Sequence, residues 1–283
     1  MTTAPRLLFV HAHPDDESSK GAATAARAAD EGAEVILVTA TDGAAGDILN
    51  PSYPPLEPHE MGPVRERELA RAIEIIGFTR VHLLDYPDSG LPEDLADIPS
   101  GCFADISVEE SATRLAQVLR EERPHVVVTY PPDGGYPHPD HIRVYETTMA
   151  AVELAAHDDG EIAGWQVPRT VFGTGFPRTR LEAIHATLTE RGLESPYAGW
   201  LEDRSHRDAD QDPDIIVDVA EWLDRRDAAL LAHATQIDPD GRWFSIPREI
   251  EVEAFPWETY CVLGGVAAPD GATSLFDGLD LST

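Results

Sequence analysis

The sequence predicts an α/β fold, with an open, mostly parallel sheet of the Rossmann-like type and helices on both faces. Short continuous apolar runs indicate strands that are buried on both faces. These runs alternate with segments of helical periodicity, and the pattern repeats four times before residue 155. We expect a single domain over residues 1–283, in which 1–155 is a regular core that carries the chemistry. Residues 156–283 then complete the sheet and the substrate pocket.

Each element rests on its own pattern. Apolar runs predict strands at 7–10, 34–39, 81–84, 124–130, 170–172 and 215–217. Helical periodicity predicts helices at 18–31, 64–76, 107–122, 141–155, 179–191 and 219–234. Gly32 and Gly77 follow two of these helices, where a glycine favours termination. The first strand–helix unit lacks the G-x-G-x-x-G pattern, so a dinucleotide site is disfavoured.

The composition excludes several classes of partner. Acidic residues outnumber basic residues by 52 to 21, which gives a formal charge of −31. This charge disfavours binding to nucleic acid or to anionic membranes. Cys102 and Cys261 cannot form a disulfide framework, and no apolar run reaches the roughly 18 residues of a membrane span. We expect a reduced, cytoplasmic protein; its oligomeric state is not predicted.

Two polar clusters follow buried strands. His13 and Asp16 are three residues apart after the first strand, and His138 and His141 are three apart after the fourth. Each cluster alone is also typical of a helix cap or a hydrogen-bonded turn. Together, at one edge of one sheet, they predict a divalent metal site of histidine and carboxylate ligands. One histidine and two aspartates remain for a general base and an oxyanion donor.

Three segments carry a resemblance to a known family. They are HAHPDDESSKG at 11–21, GGYPHPDH at 134–141 and HATQIDP at 233–239. With them, the chain resembles the LmbE-like (PIG-L) zinc deacetylases, and within that family it is most similar to the mycothiol S-conjugate amidases of actinobacteria. The resemblance implies the fold predicted above and a metal-dependent amide hydrolase with a small-molecule substrate.

The resemblance also implies roles for residues of both clusters. It implies that zinc, or ferrous iron as an alternative, is bound by His13, Asp16 and His141. It implies that Asp15 is the general base and that His138 is a charged partner of the tetrahedral intermediate. Asp140 is then expected to orient His138, and Tyr136 to donate to the oxyanion from a mobile loop. These last four residues form the expected catalytic set.

Substrate contacts are expected at three further positions. Lys20 is the only lysine of the chain and matches a residue of the amidase branch that is placed near the acylated cysteine; the alternative is a solvated helix lysine. Arg65 and Asp88 match positions that contact sugar or inositol hydroxyls. Their alternatives are an ion pair of Arg65 with Glu68 and a turn-capping role for Asp88.

The function that we expect is hydrolysis of the amide bond in mycothiol S-conjugates. The products would be a mercapturate-type conjugate and glucosaminyl-inositol, in thiol-based detoxification. A deacetylase of N-acetylglucosaminyl-inositol, or of another amino sugar, is the alternative. A non-catalytic module that binds sugar or metal is a third hypothesis. The tryptophans are expected to pack in the core or at its rim: Trp200, Trp222, Trp243 and Trp257.

Overall fold

The computed structural model describes residues 4–202 and 212–282. Its centre is a seven-stranded sheet with the strand order β3-β2-β1-β4-β5-β7-β6, in which β7 is antiparallel to both of its neighbours and the other pairs are parallel. The strands are β1 (Arg6–His11), β2 (Glu34–Thr41), β3 (Arg80–Tyr86), β4 (Val126–Thr129), β5 (Arg169–Gly173), β6 (Ile215–Asp218) and β7 (Trp257–Gly265).

Nine α-helices are present in the two described ranges. They are α1 (Asp16–Ser19), α2 (Ala22–Asp30), α3 (Met61–Ile76), α4 (Val108–Glu122), α5 (Pro139–Ala155), α6 (Arg178–Glu190), α7 (Ala198–Glu202), α8 (Leu223–Ala232) and α9 (Arg248–Ala254). Helices α2, α3 and α8 pack on one face of the sheet, and α4 and α5 pack on the other. The predicted α/β fold with helices on both faces is therefore confirmed.

One predicted element was wrong, and three elements were not predicted. The helix predicted at 18–31 is split into α1 and α2, because Gly21 lies between them at φ +96°, where a Cβ atom would come within 2.9 Å of the Phe9 ring. Strand β7 and the short helices α7 and α9 were not predicted at all. Strand β7 mixes Glu258 and two glycines with its apolar residues, so it has no continuous apolar run.

The strand order places a crevice between β1 and β4. The chain leaves β1 towards the face covered by α2, and it leaves β4 towards the face covered by α5. Ligands of open α/β sheets bind at the carboxyl ends of strands where the connections diverge in this way. Elsewhere, Cys102 and Cys261 are buried and unpaired. Among the described residues, no helix is long and apolar enough to cross a membrane.

Candidate metal and catalytic site

The two polar clusters of the sequence meet at this crevice. The first cluster follows β1 and the second precedes α5, and β1 and β4 are neighbours in the sheet. The ring of His13 lies 4.5 Å from the ring of His138 and 5.3 Å from that of His141, measured between centroids. Residues that are more than 120 positions apart in the chain therefore form one site.

Three side chains offer converging ligand atoms. His13, Asp16 and His141 are buried, and one nitrogen or oxygen atom of each lies within 4.8 Å of the others. His141 Nδ1 donates to the carbonyl of Gly134 (3.1 Å), which leaves Nε2 as an acceptor. That Nε2 atom is buried without a hydrogen-bond partner, 3.4 Å from Asp16 Oδ2. An unpartnered acceptor of this kind fits a metal ion.

His13 has a matching arrangement. Its Nε2 donates to Asp140 Oδ2 (3.2 Å), so its Nδ1 faces Asp16 at 3.4 Å. A metal-binding histidine commonly donates its second N–H to a carboxylate or a carbonyl, and both histidines do so here. Burial lowers the pKa of His13, but hydrogen bonds to Asp140, Asp16 and Asp88 raise it well above its usual value overall. The site is thus organised to hold positive charge.

Asp16 is kept ionised at the centre of this set. Burial opposes its charged form, yet Lys20, His141 and His13 together hold the pKa of its carboxyl well below the usual range. Lys20 Nζ donates to Oδ1, and the hydroxyl of Tyr130 donates to Oδ2 at 2.6 Å. The sequence analysis did not predict Tyr130 as a site residue, although it directly follows β4. Lys20 is paired rather than solvated, which argues against the alternative of a solvated lysine.

His138 and Asp140 are arranged differently from the expectation. The carboxylate of Asp140 accepts from His13 and from the Ser89 amide (3.0 Å), whereas its backbone amide donates to His138 Nδ1 (3.2 Å). Asp140 therefore orients His138 through its main chain. Burial, followed by the nearby His13 and His141, lowers the pKa of His138 to about 4. This shift favours the neutral imidazole, in which Nδ1 accepts from the Asp140 amide and Nε2 carries the proton. The charged role that the resemblance implies for His138 stays a prediction.

A second possible ligand group consists of His13, His138 and Asp140. In that group Nδ1 of His138 accepts from the Asp140 amide, whereas Oδ1 of Asp140 is buried without a partner. The group of His13, Asp16 and His141 contains the unpartnered Nε2 of His141. It is also the ligand set that the resemblance implies, so we propose this group as the metal site.

Asp15 is held in an unusual backbone conformation. Its φ of +126° is rarely adopted by a residue with a side chain. The Asp15 amide donates to Glu17 Oε2 (2.9 Å), and Glu17 Oε1 accepts from His233 Nε2 (2.6 Å). Both Glu17 and His233 are buried. Neither was predicted as a site residue, although Glu17 lies in the first motif and His233 in the C-terminal segment of the resemblance.

Arg65 holds the side chain of the same residue. Its guanidinium lies 3.2 Å from Asp15 Oδ2 and donates to the carbonyls of Pro14 and Gly43. Burial raises the pKa of Asp15, Arg65 opposes the rise and Asp16 adds to it, so that the pKa is raised overall. An elevated pKa suits a carboxylate that accepts a proton near neutral pH.

Arg65 and Asp88 are both buried, and their contacts with sugar or inositol hydroxyls stay predictions. Asp88 Oδ1 lies 3.5 Å from His13 Nε2 and accepts from the Gly90 amide, so the alternative of a turn cap holds for this residue. The alternative ion pair of Arg65 with Glu68 is absent from the described contacts. Glu68 accepts instead from the amide and the hydroxyl of Thr235.

A cleft of about 440 Å³ opens beside this site. Asp15, Asp16, Lys20 and Tyr136 are among the residues that line it. The Tyr136 ring lies 4.7 Å from that of His141, and the residue is 46% exposed. Burial, followed by the charges of Asp16 and Asp15, raises the pKa of Tyr136, so its hydroxyl stays protonated and can donate a hydrogen bond.

Known proteins share the segments that form this site. Residues 8–152, which include both motifs, match the family model described as PIG-L, GlcNAc-PI de-N-acetylase. A protein of Streptomyces coelicolor named mycothiol S-conjugate amidase is 45% identical over 92% of this chain and 92% of its own. The chain belongs to the PIG-L family. The predicted family and the predicted class, a hydrolytic enzyme, are confirmed.

Other PIG-L relatives carry a different name. A Streptomyces avermitilis protein that is 38% identical over 97% of both chains is named 1D-myo-inositol 2-acetamido-2-deoxy-alpha-D-glucopyranoside deacetylase. Among solved structures, the N,N'-diacetylchitobiose deacetylase of Pyrococcus horikoshii superposes with a TM-score of 0.61. That match covers 92% of this chain and 84% of the other at 20% identity, so it supports the fold alone.

Proposed function

We propose that this chain is a zinc-dependent amidase that cleaves mycothiol S-conjugates into a mercapturate-type conjugate and glucosaminyl-inositol. The observation that carries the proposal is the 45% identity, over 92% of both chains, to a protein named for this activity. The buried set of His13, Asp16 and His141 supports the metal requirement. Ferrous iron suits the same ligands and is the alternative metal.

The metal would be held by His13 Nδ1, one carboxylate oxygen of Asp16 and His141 Nε2. When bound, it would supply Lewis acidity and lower the pKa of the attacking water. Asp140 and the Gly134 carbonyl fix the rings of the two histidines from outside. These contacts keep the ligand atoms pointed inward.

Asp15 would act as the general base. Its carboxylate lies on the cleft wall, fixed by Arg65 and by the strained main chain that Glu17 holds. It would take a proton from water as the oxygen attacks the amide carbon. The same proton would then pass to the departing amine nitrogen, so that one water and one amide give one carboxylic acid and one amine, which exchange a further proton to become a carboxylate and an ammonium group.

Two neutral donors would stabilise the negative oxygen that develops during attack. Tyr136 keeps its hydroxyl proton, and His138 carries a proton on Nε2 because its Nδ1 accepts from the backbone. Donors that are already aligned stabilise the transition state more than the ground state. Lys20 would contact the acyl-cysteine part of the substrate from the same cleft.

The second candidate function is deacetylation of N-acetylglucosaminyl-inositol, because relatives of 38% identity are named for that reaction. Zinc-loaded enzyme is assayed side by side on a fluorescent mycothiol conjugate and on the acetylated sugar. We expect kcat/KM to be at least about 10²-fold higher for the conjugate, a range that differential transition-state binding can supply. The reverse ratio would assign the deacetylase function and leave the roles of the residues unchanged.

A further inference from the structure

One wall of the cleft is not used by the chemistry described above. Leu49, Ile237 and Trp243 line it together with Arg242. Leu49 is 63% exposed, yet its backbone is held, because its amide donates to the Thr235 carbonyl at 2.9 Å. Leu49 and the half-buried Trp243 therefore present apolar surface to the cleft that Asp15 and Tyr136 also line.

Trp243 packs against a second aromatic ring, that of Phe176. It lies in the single turn of 3-10 helix Arg242–Phe244, and its ring centroid is 5.7 Å from that of Phe176. The guanidinium of Arg180 covers Phe176 in turn, with its central carbon 4.6 Å from the ring centroid. An aromatic face that is already ordered loses little conformational entropy when a ligand stacks on it.

Arg242 has no acidic partner among the described residues, although acidic residues outnumber basic residues by 52 to 21 in the chain. Its guanidinium lies 5.6 Å from the Trp243 centroid and, within residues 4–202 and 212–282, has neither an ion-pair partner nor a side-chain hydrogen bond. A planar guanidinium stacks readily on aromatic rings. Asp238 lines the same cleft, so the wall has no clear excess of positive charge. The wall therefore favours a neutral aromatic group over an anion.

We propose that Leu49, Arg242 and Trp243 form a subsite for a neutral aromatic group carried on the cysteine sulfur of the substrate. This inference rests on the proposed amidase function. A thiol conjugate has two unlike ends, since its sugar and inositol hydroxyls require polar partners whereas an aryl thioether is apolar. The polar lining of the cleft, which includes Ser19 and Gln236, and the aromatic wall match that division. The volume of about 440 Å³ lies within the range of small-molecule sites.

Turnover of two conjugates tests the subsite. Both carry the same sugar, inositol and acylated cysteine, and the sulfur carries either a methyl or a naphthylmethyl group. In Trp243→Ala, the ratio of kcat/KM for naphthylmethyl over methyl falls about tenfold, as expected for loss of an aromatic contact and its buried area, whereas Trp243→Phe keeps most of it. Leu49→Ala lowers the ratio severalfold. Leu231→Ala, an exposed leucine on α8, leaves the ratio unchanged.

Direct binding separates failure of the subsite from failure of the amidase function. Calorimetry compares S-naphthylmethyl-N-acetylcysteine with its S-methyl counterpart. A preference for the aryl compound that Trp243→Ala and Leu49→Ala reduce supports the subsite, even where neither conjugate is hydrolysed and the amidase function fails. Hydrolysis of both conjugates without a preference that depends on Trp243 or Leu49 overturns the subsite and leaves the amidase function standing. Circular dichroism confirms that each variant is folded.

Discussion

The corner that holds Asp15 and the wall that holds Trp243 face the same cleft and are built in opposite ways. At the corner, the Asp15 amide, its carboxylate and the preceding carbonyl each have a buried partner, supplied by Glu17 and Arg65. On the wall, Leu49 is largely exposed and the guanidinium of Arg242 has no described hydrogen-bond partner. The groups proposed to react are thus held by buried side chains, whereas the proposed aromatic subsite is open to solvent and is held by the Leu49 main chain and by packing of Trp243 on Phe176.

The largest expected effect comes from removing the base at the corner. Asp15→Asn keeps the size of the side chain but cannot accept the proton, so kcat should fall by about 10²- to 10⁴-fold. Metal content, measured by elemental analysis, should stay at one equivalent because Asp15 is not among the three ligands. Asp85→Asn, at an exposed carboxylate on β3, serves as the control. Full activity in Asp15→Asn would remove this residue from the mechanism.

The next effect concerns the loop that fixes His141. Gly134 has φ +76°, and a Cβ atom there would come within 2.8 Å of the His141 Cβ. Gly134→Ala should therefore weaken zinc affinity by about 10- to 100-fold, the usual result of disturbing a contact that orients a ligand. Competition with a chelating dye measures the affinity.

A matched control lies next to it. Gly135 has φ +77°, but the nearest neighbour of an added Cβ is the Pro131 ring at 3.8 Å. Gly135→Ala thus has a similar backbone strain without touching His141, and zinc affinity should change little. Equal losses of affinity in the two variants would mean that backbone strain, and not displacement of His141, is responsible.

A smaller loss is expected from the support behind Asp15. His233→Gln weakens the partner of Glu17, so the amide of Asp15 is held less firmly, and kcat should fall by up to about 10²-fold with KM and zinc content little changed. Circular dichroism reports whether the fold survives. His157→Gln, at an exposed histidine, should have no effect. A variant with normal kcat would show that this buried pair serves the fold alone.

The smallest effect is on stability and involves His11. Both of its ring nitrogens are buried without partners, and burial lowers its pKa from 6.5 to about 4. The unfolded chain therefore takes up a proton below pH 6.5 while the folded protein does not, so stability is full above pH 6.5 and is lost as the pH falls towards 4. At pH 5 this loss is about 2 kcal/mol.

His11→Leu should remove that part of the pH dependence. Urea unfolding of metal-free protein at pH 7.5 and pH 5 gives the two free energies of unfolding, and their difference should shrink by about 2 kcal/mol relative to the unsubstituted chain. His59→Leu, at an exposed histidine, is the control. An unchanged difference would mean that His11 titrates normally in the folded protein.

Sequence patterns predicted the parallel half of the fold well, because strands buried on both faces read as continuous apolar runs. Strand β7 was not predicted, since Trp257, Glu258 and the final glycines flank its apolar residues and leave only a short apolar run. The helix break at Gly21 was not predicted, because the alanine-rich sequence around it favours one long helix. The contact that requires a glycine there is made by Phe9, which lies in a separate strand.

The part of the site that could be predicted from the sequence consists of residues that follow the ends of neighbouring parallel strands. The meeting of His13 with His141 follows from two parallel strands that end at the same edge of the sheet. The bond between Glu17 and His233 joins residues 216 positions apart, and no local pattern encodes that contact. The burial of Arg65 and Asp88 was also hidden, because charged residues on a helix and in a turn are usually exposed.

The bond between Glu17 and His233 also sets an order of assembly during synthesis. The proposed metal ligands all lie within the first 141 residues, so the ribosome has delivered them when half of the chain is complete. The clamp on Asp15 requires a residue that emerges more than ninety positions later. The proposed ligands are thus all synthesised before the support of Asp15, and the Asp15 main chain is held only once the C-terminal part packs against the first motif.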